Sequence, residues 1–206
     1  VDVLSRNTTW TTTRDTTLGL NFTGVNFYDG QGFMVSRDLG ITGADELDGA
    51  SICIQSGTTT ELNLADYFRA NDMEFNPIVF DTSEQTVGGY QAGRCDVLTS
   101  DTSQLAALRI QLDDPEASMI LSDVISKEPL GPVVRQGDDL WFNIVKWSLF
   151  AMINAEEYGV TSENAEEMRD SDNPDVARLL GQDGNYGEGM NLEADWAYNI
   201  ISQVGN

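Results

Sequence analysis

The sequence predicts an α/β protein with one complete α/β body in mid-chain and a second body assembled from the two chain ends. Three observations carry that reading. Short apolar strands alternate with amphipathic helices from about Ser36 to Arg135, the signature of βαβ units and of a mainly parallel sheet covered on both faces. After Gly137-Asp138 the apolar period becomes helical only. Before Ser36 the chain supplies a strand or two among polar loops. The expected division is therefore 1–35, an N-terminal piece of lobe 1; 36–135, a continuous lobe 2; and 136–206, a helical C-terminal piece of lobe 1.

In order, Val1 to Ser5 reads as a strand and Arg6 to Thr13 as a polar loop. Phe22 to Tyr28 alternates weakly, Gln31 to Val35 is a second strand, and Gly30 and Gly32 suggest a bend where the chain passes from one body to the other. Ala44 to Leu47 is a short helix. Ser51 to Ser56 is a strand, and Thr59 to Ala70 a helix opened by Thr58 with Glu61 at capping-box spacing. Asn76 to Phe80 is a strand. Asp81 is the expected cap of a helix from Ser83 to Gln91 that stops at Gly93. Cys95 to Ser100 is a strand, Asp101 to Gln111 a helix, and Met119 to Leu121 and Pro132 to Arg135 further strands. Asp139 to Glu157 is a long helix with apolar Leu140, Ile144, Trp147, Leu149 and Ile153. Shorter helices follow from Thr161 to Arg169, capped by Ser162, and from Asn173-Pro174 to Leu180. After a glycine-rich loop from Gln182 to Asn191, the last helix runs from Glu193 to Val204.

Composition narrows the function classes. The 206 residues are 40% hydrophobic, enough for a real core. No apolar run approaches the roughly 20 residues of a membrane span. A net charge of −23, from 34 acidic and 11 basic residues, argues against nucleic acid and anionic membranes as partners. The chain has no histidine, which removes Ser-His and Cys-His catalysis and every histidine metal site, and leaves only carboxylate chemistry. No metal and no cofactor is expected. Two cysteines, Cys53 and Cys95, stand near the starts of two expected strands; spacing alone leaves a disulfide and a pair of buried thiols both open.

Three places suggest one ligand. The turn Gly57-Thr58-Thr59-Thr60 opens a helix whose leading N–H groups and hydroxyls suit an anion. Arg14 follows a run of hydroxyls and amides, Ser5, Asn7, Thr8, Thr9 and Thr11, and an arginine there can hold a carboxylate through two hydrogen bonds; a surface ion pair with Asp15 is the competing reading. Asp101 stands directly after a strand, at the carboxyl end where open α/β sheets place ligands, and is also a helix N-cap candidate. An arginine and a helix start for a carboxylate, with an aspartate for an ammonium, describe the two charged groups of a free amino acid.

The stretches DVLSRNTTWTTTRD, GASICIQSGTTTELNLADYF, GRCDVLTSD, ISKEPLGPVVRQGD and WFNIVKWSLFAMINAEEYGVTSEN resemble the solute-binding proteins of polar amino-acid ABC transporters, most of all the general L-amino-acid-binding subgroup. The resemblance implies a periplasmic-binding-protein type II-like fold, one complete α/β lobe plus a partial second lobe, closing on its ligand. It implies that Arg14 clamps the ligand carboxylate, that Asn7 and Thr9 contact the ligand backbone, that Thr58 and Thr59 approach from the other lobe, and that Asp101 holds the amino group. It also implies a Cys53–Cys95 disulfide, a periplasmic location and an inner-membrane ABC permease as partner. The expected hinge lies near Phe33 to Arg37 and Leu130 to Gln136. Members of the family are longer at both ends, which predicts weakened amino-acid binding by the lone chain and a homodimer through the incomplete lobe. Two alternatives stand beside a binding protein: a dehydratase-like enzyme with Glu61 or Asp101 as acid, and a degenerate form without a transport role.

Overall fold

A computed structural model describes residues 1–206. In chain order the elements are α1 (Thr12–Thr16), β1 (Leu20–Phe22), β2 (Phe27–Asp29), β3 (Gln31–Ser36), β4 (Ser51–Gln55), α2 (Thr59–Ala70), β5 (Asn76–Phe80), α3 (Ser83–Gln91), β6 (Val97–Asp101) and α4 (Thr102–Arg109). They continue with β7 (Ser118–Ile120), β8 (Glu128–Leu130), β9 (Val133–Arg135), α5 (Asp139–Glu157), α6 (Ala165–Met168), α7 (Pro174–Leu179) and α8 (Trp196–Val204). The chain divides into two compact units: unit 1 is Val1–Asn26 with Gly131–Asn206, and unit 2 is Phe27–Leu130. These crossing points differ from the 35/36 and 135/136 expected from sequence. At the first crossing the reason is β3, expected as a strand of the N-terminal piece, which is an inner strand of the unit 2 sheet, with Phe33, Met34 and Val35 all fully buried. Gly30 and Gly32 do not bend a linker either. They admit close neighbours: a Cβ on Gly32 would lie 2.8 Å from the Thr102 methyl, and one on Gly30 2.3 Å from Val124.

Unit 2 is built on a five-stranded sheet of order β5-β4-β6-β3-β7. β4 runs parallel to β5 and β6, but β3 runs antiparallel to both β6 and β7, so the sheet is mixed rather than mainly parallel. The alternation of side chains along a strand explains its two covered faces. Phe33 and Val35 of β3, Ile52 and Ile54 of β4 and Val97 of β6 join Leu64 and Phe68 of α2 in one core. The residues of opposite parity, Met34, Cys53 and Leu98, join Tyr90 of α3 and Leu105 and Leu108 of α4 in a second. Pro77 lies on β5, an edge strand, where its missing N–H costs no ladder bond. Cys53 and Cys95 form a disulfide with a Cα–Cα distance of 5.6 Å, closing a loop of 42 residues within the second core. β2 and β8, the strands by which the chain enters and leaves unit 2, pair antiparallel with Phe27 opposite Leu130 and Asp29 opposite Glu128. β8 carries no alternating apolar signal, since it reads Glu-Pro-Leu, and the sequence did not reveal it.

Unit 1 holds the β1–β9 ladder and α5 to α8. The expected strand at Val1 to Ser5 reduces to one bridge, Leu4 to Val133. The expected loop at Arg6 to Thr13 ends in a short helix, α1, capped by Thr11. α5 has the bounds expected, with Asp138 accepting from the Trp141 N–H at 2.9 Å. Its most buried residues are Leu149, Ala151 and Ala155, whereas Leu140, Trp147 and Ile153 remain 39–45% exposed. Ala155, Val160, Ala165, Val176, Leu180 and Ile201 form the core that gathers α5 to α8. Two caps move by one or two residues. Thr82, not Asp81, accepts from Gln85 N–H, and Asn164 replaces Ser162. No helix is long and apolar enough to cross a membrane.

Candidate functional site

In unit 1 the local sequence aims Arg14. Thr11 caps α1 by accepting from the Arg14 N–H at 3.3 Å, and the Arg14 guanidinium donates through Nη1 to the Thr9 carbonyl at 2.8 Å. Thr9 is buried, 4% exposed, and Trp10 stacks on Phe22 with ring centroids 5.2 Å apart and planes 8° from parallel. The loop that carries Asn7 and Thr9 is thereby pinned to β1. Arg14 takes part in none of the protein's ion pairs, so the competing reading, a salt bridge to Asp15, is not what the structure contains. In a chain of such negative charge, that is a guanidinium held by a backbone carbonyl instead of by an acid.

In unit 2 the start of α2 is locked by its own side chains. Gly57 turns with φ of +69°, a conformation that favours glycine. Thr58 Oγ1 accepts from the Glu61 N–H at 3.3 Å and donates to the Gln55 carbonyl at 2.8 Å. The Glu61 carboxylate accepts from the Gly57 N–H at 2.9 Å rather than from Thr58, one residue off the expected capping box. The N–H groups of Thr59 and Thr60 thus lead the helix at its positive dipole end. Glu61, the alternative acid for an enzyme, is engaged in this turn.

Asp101 ends β6 and is 3% exposed. It occupies the N-cap position of α4, yet its side chain makes no capping hydrogen bond. That task falls to Asp29, which sequence reasoning missed. Its Oδ1 accepts from Thr102 Oγ1 at 2.6 Å, and its Oδ2 accepts from the Ser103 hydroxyl and, at 3.4 Å, from the Ser103 N–H. Burial pushes the Asp29 carboxyl up, but the bonds from Ser103, Thr102 and the Gly30 N–H together outweigh it and hold the group below its ordinary 3.8. Under Asp101 lies a buried amide, Gln31, opposite it in the ladder, whose Nε2 donates to Thr99 Oγ1 at 2.9 Å and to the Thr60 carbonyl at 3.0 Å. Gln31 ties β3 to the first turn of α2.

The structure therefore groups Thr58, Thr59 and Asp101 at the carboxyl ends of β4 and β6 in unit 2, and Asn7, Thr9 and Arg14 beside α1 in unit 1. Sequence reasoning also missed Glu128, a buried carboxylate beside Thr59. The sequence carried no signal for it, since Ser126-Lys127-Glu128-Pro129 reads as a polar turn. A separate cavity of about 510 Å³ in unit 1 is lined by Trp147, Tyr158, Arg178, Tyr186 and Trp196 among others, and by none of the expected site residues.

This mixed sheet, with one long excursion through Phe27–Leu130 and the rest of the chain in a second unit, is the type II-like fold of periplasmic amino-acid-binding proteins. The comparisons with known proteins agree. No family model matches the chain. It is 57% identical over 208 residues to the general L-amino acid-binding periplasmic protein AapJ of Rhizobium johnstonii, covering 100% of this chain and 61% of AapJ. It is 51% identical over 207 residues to the glutamate/glutamine/aspartate/asparagine-binding protein BztA of Rhodobacter capsulatus, with the same two coverages, 100% and 61%. A solved ABC transporter periplasmic binding protein from Brucella ovis with glutathione bound is 55% identical, with a TM-score of 0.97 over 100% of this chain and 65% of that one. The chain is thus similar in sequence and fold to proteins named as amino-acid-binding components of ABC transporters, and it spans about three fifths of the length of the curated relatives it matches, 61%. The disulfide implied by that resemblance is present.

Proposed function

We propose that this chain binds free L-amino acids in the periplasm and hands them to the permease of an ABC transporter. The observation that carries the reading is the Arg14 guanidinium, fixed by the Thr9 carbonyl and paired with no acid in a chain of net charge −23. Arg14 would take the ligand carboxylate bidentately, with Asn7 and Thr9 on the ligand backbone. In unit 2, Thr58 and Thr59 stand at the positive end of α2, where the leading N–H groups would suit a ligand carboxylate. Asp101 would take the ammonium. The ligand acts by stabilising the conformation in which all these contacts are made, and no chemistry is performed on it. The engagement of Glu61 in the helix turn supports a binder over a dehydratase-like enzyme.

The name of AapJ favours L-amino acids in general as ligands, and that of BztA favours glutamate, glutamine, aspartate and asparagine. The glutathione in the Brucella protein supports a second reading, because the γ-glutamyl end of that tripeptide presents the same α-carboxylate and α-ammonium. Thermal-shift screening against the amino acids and glutathione tests both: a ligand that binds only the folded chain raises its melting temperature by mass action. Shifts with several polar L-amino acids, abolished by Arg14→Ala, are expected. Shifts with glutathione alone would select the second reading. No shift with either would overturn the proposal.

A further inference from the structure

The two strands that carry the chain into and out of unit 2 each bear a carboxylate at one register position, Asp29 on β2 and Glu128 directly opposite on β8. Each reaches the start of a different helix. Asp29 binds the Thr102 and Ser103 hydroxyls and the Ser103 N–H at the head of α4, immediately after Asp101. Glu128 is 2% exposed. Its Oε1 accepts from Asn63 Nδ2 at 2.7 Å and from Ser126 Oγ at 2.5 Å, and its Oε2 accepts from Thr59 Oγ1 at 3.3 Å. Thr59 and Asn63 are the first and fifth residues of α2, so they share one face of it.

A buried carboxylate is costly to desolvate, and this one is met by several neutral donors. An apolar residue at 128 would satisfy the burial of β8 without that cost. What the acid adds is direction. Because the carboxylate can only accept, the Thr59 hydroxyl spends its proton on Glu128 and turns its lone pairs elsewhere. A ligand carboxylate arriving at Thr59 would then be met by the backbone N–H and not by the hydroxyl.

We propose that Glu128 and Asp29 are paired positioning residues, which tie the two ligand-contacting turns of unit 2 to its two crossing strands: Glu128 fixes Thr59 at the head of α2, and Asp29 fixes the turn after Asp101. This rests on the amino-acid-binding reading for its consequence, though not for its geometry. Ligand drawn onto either turn thereby acts directly on the ribbon by which unit 2 is joined to the rest of the chain.

Amide exchange on the ligand-free chain and calorimetric titration of L-glutamine test the proposal together. Glu128→Gln keeps the shape but presents an amide donor to the Thr59 hydroxyl. It is expected to speed exchange at Thr59 to Asn63 by about tenfold and to leave Ser103 and Gln104 protected. Asp29→Asn is expected to do the converse. In titration, Glu128→Gln should weaken L-glutamine by about tenfold when Thr59 is present and by about twofold or less in a Thr59→Val background, since a residue acting through Thr59 loses its effect without it. Unchanged exchange at α2, exchange rising equally at both helix starts, or an equal loss of affinity in both backgrounds would overturn the proposal. If the parent chain binds no ligand, the functional reading fails and exchange alone decides this one. If Glu128→Gln does not fold, Asn63→Ala and Thr59→Val remove the same bonds from the helix side and the same exchange pattern decides.

Discussion

Unit 2 and unit 1 solve the problem of burial differently. Unit 2 wraps one sheet in helices on both faces, and successive residues of β3, β4 and β6 feed two cores, with a disulfide across one of them. Unit 1 has a three-residue ladder and one small core, and it carries half-exposed Trp10, Trp147 and Ile153 and the still more exposed Leu18, Tyr186 and Val204. The comparison teaches that a two-faced sheet gathers two cores in unit 2 where the helices of unit 1 gather one, so unit 2 is expected to be the more stable of the two. All four tryptophans, Trp10, Trp141, Trp147 and Trp196, are in unit 1. Tryptophan fluorescence therefore reports unit 1, and amide exchange in β4 and β6 reports unit 2.

The largest effect is expected from Phe68→Ala. Phe68 is 1% exposed and packs on Phe33, Tyr67 and Phe75, so the truncation should cost about 3–5 kcal/mol. The loss should appear in β4 and β6 exchange before the tryptophan transition moves; simultaneous loss would mean that the two units unfold as one. Reducing the Cys53–Cys95 bridge, or replacing both cysteines by Ala, should cost about 2–4 kcal/mol in unit 2 for a loop of this length. Ile201→Val, in the unit 1 core, should cost about 1 kcal/mol and move the tryptophan transition first. The exposed apolar surface of unit 1 should produce a dimer in light scattering at high concentration, weakened by Trp147→Asp; a strict monomer would show that surface to be inert.

Asp29→Asn should cost about 1 kcal/mol, the worth of a helix cap. It also carries a pH signature. The folded carboxyl lies below its unfolded value, so its contribution is complete above about pH 4 and is lost as pH falls through the lowered folded value. The difference in melting temperature from the parent should shrink on acidification across that window. The smallest effect is expected from Asp66→Ala, which removes an exposed ion pair with Arg69 and should change stability by about 0.5 kcal/mol or less.

Much of this architecture was legible in the chain. α2, α3, α5 and β5 have the bounds that their periodicity and stop signals predict, because each is long or sharply punctuated. β7 and β9 fall within one residue of the strands expected at Met119 to Leu121 and Pro132 to Arg135, whereas β1 and β2 were blurred into one weakly alternating stretch and β8 was unseen, since a three-residue strand can be too short to show a period of two. Antiparallel β3 broke the expected parallel rule because a strand's direction is set by a chain crossing that local pattern does not record. Arg14, Thr59 and Asp101 stood out for their place at turns beside hydroxyls. Asp29 and Glu128 did not, because their roles are cross-strand and reach helices 73 and 65–69 residues away. The capping task expected of Asp101 fell to Asp29 for the same reason.

The account stands most directly on whether one ligand is read at both of its charged ends. Calorimetric titration of this chain with L-glutamine and with N-acetyl-L-glutamine, which keeps the carboxylate but has no ammonium for Asp101, measures that. The account predicts binding of the free amino acid and about 10- to 150-fold weaker binding of the acetylated one, the worth of a lost charge-assisted hydrogen bond. Equal affinity for the two would contradict it.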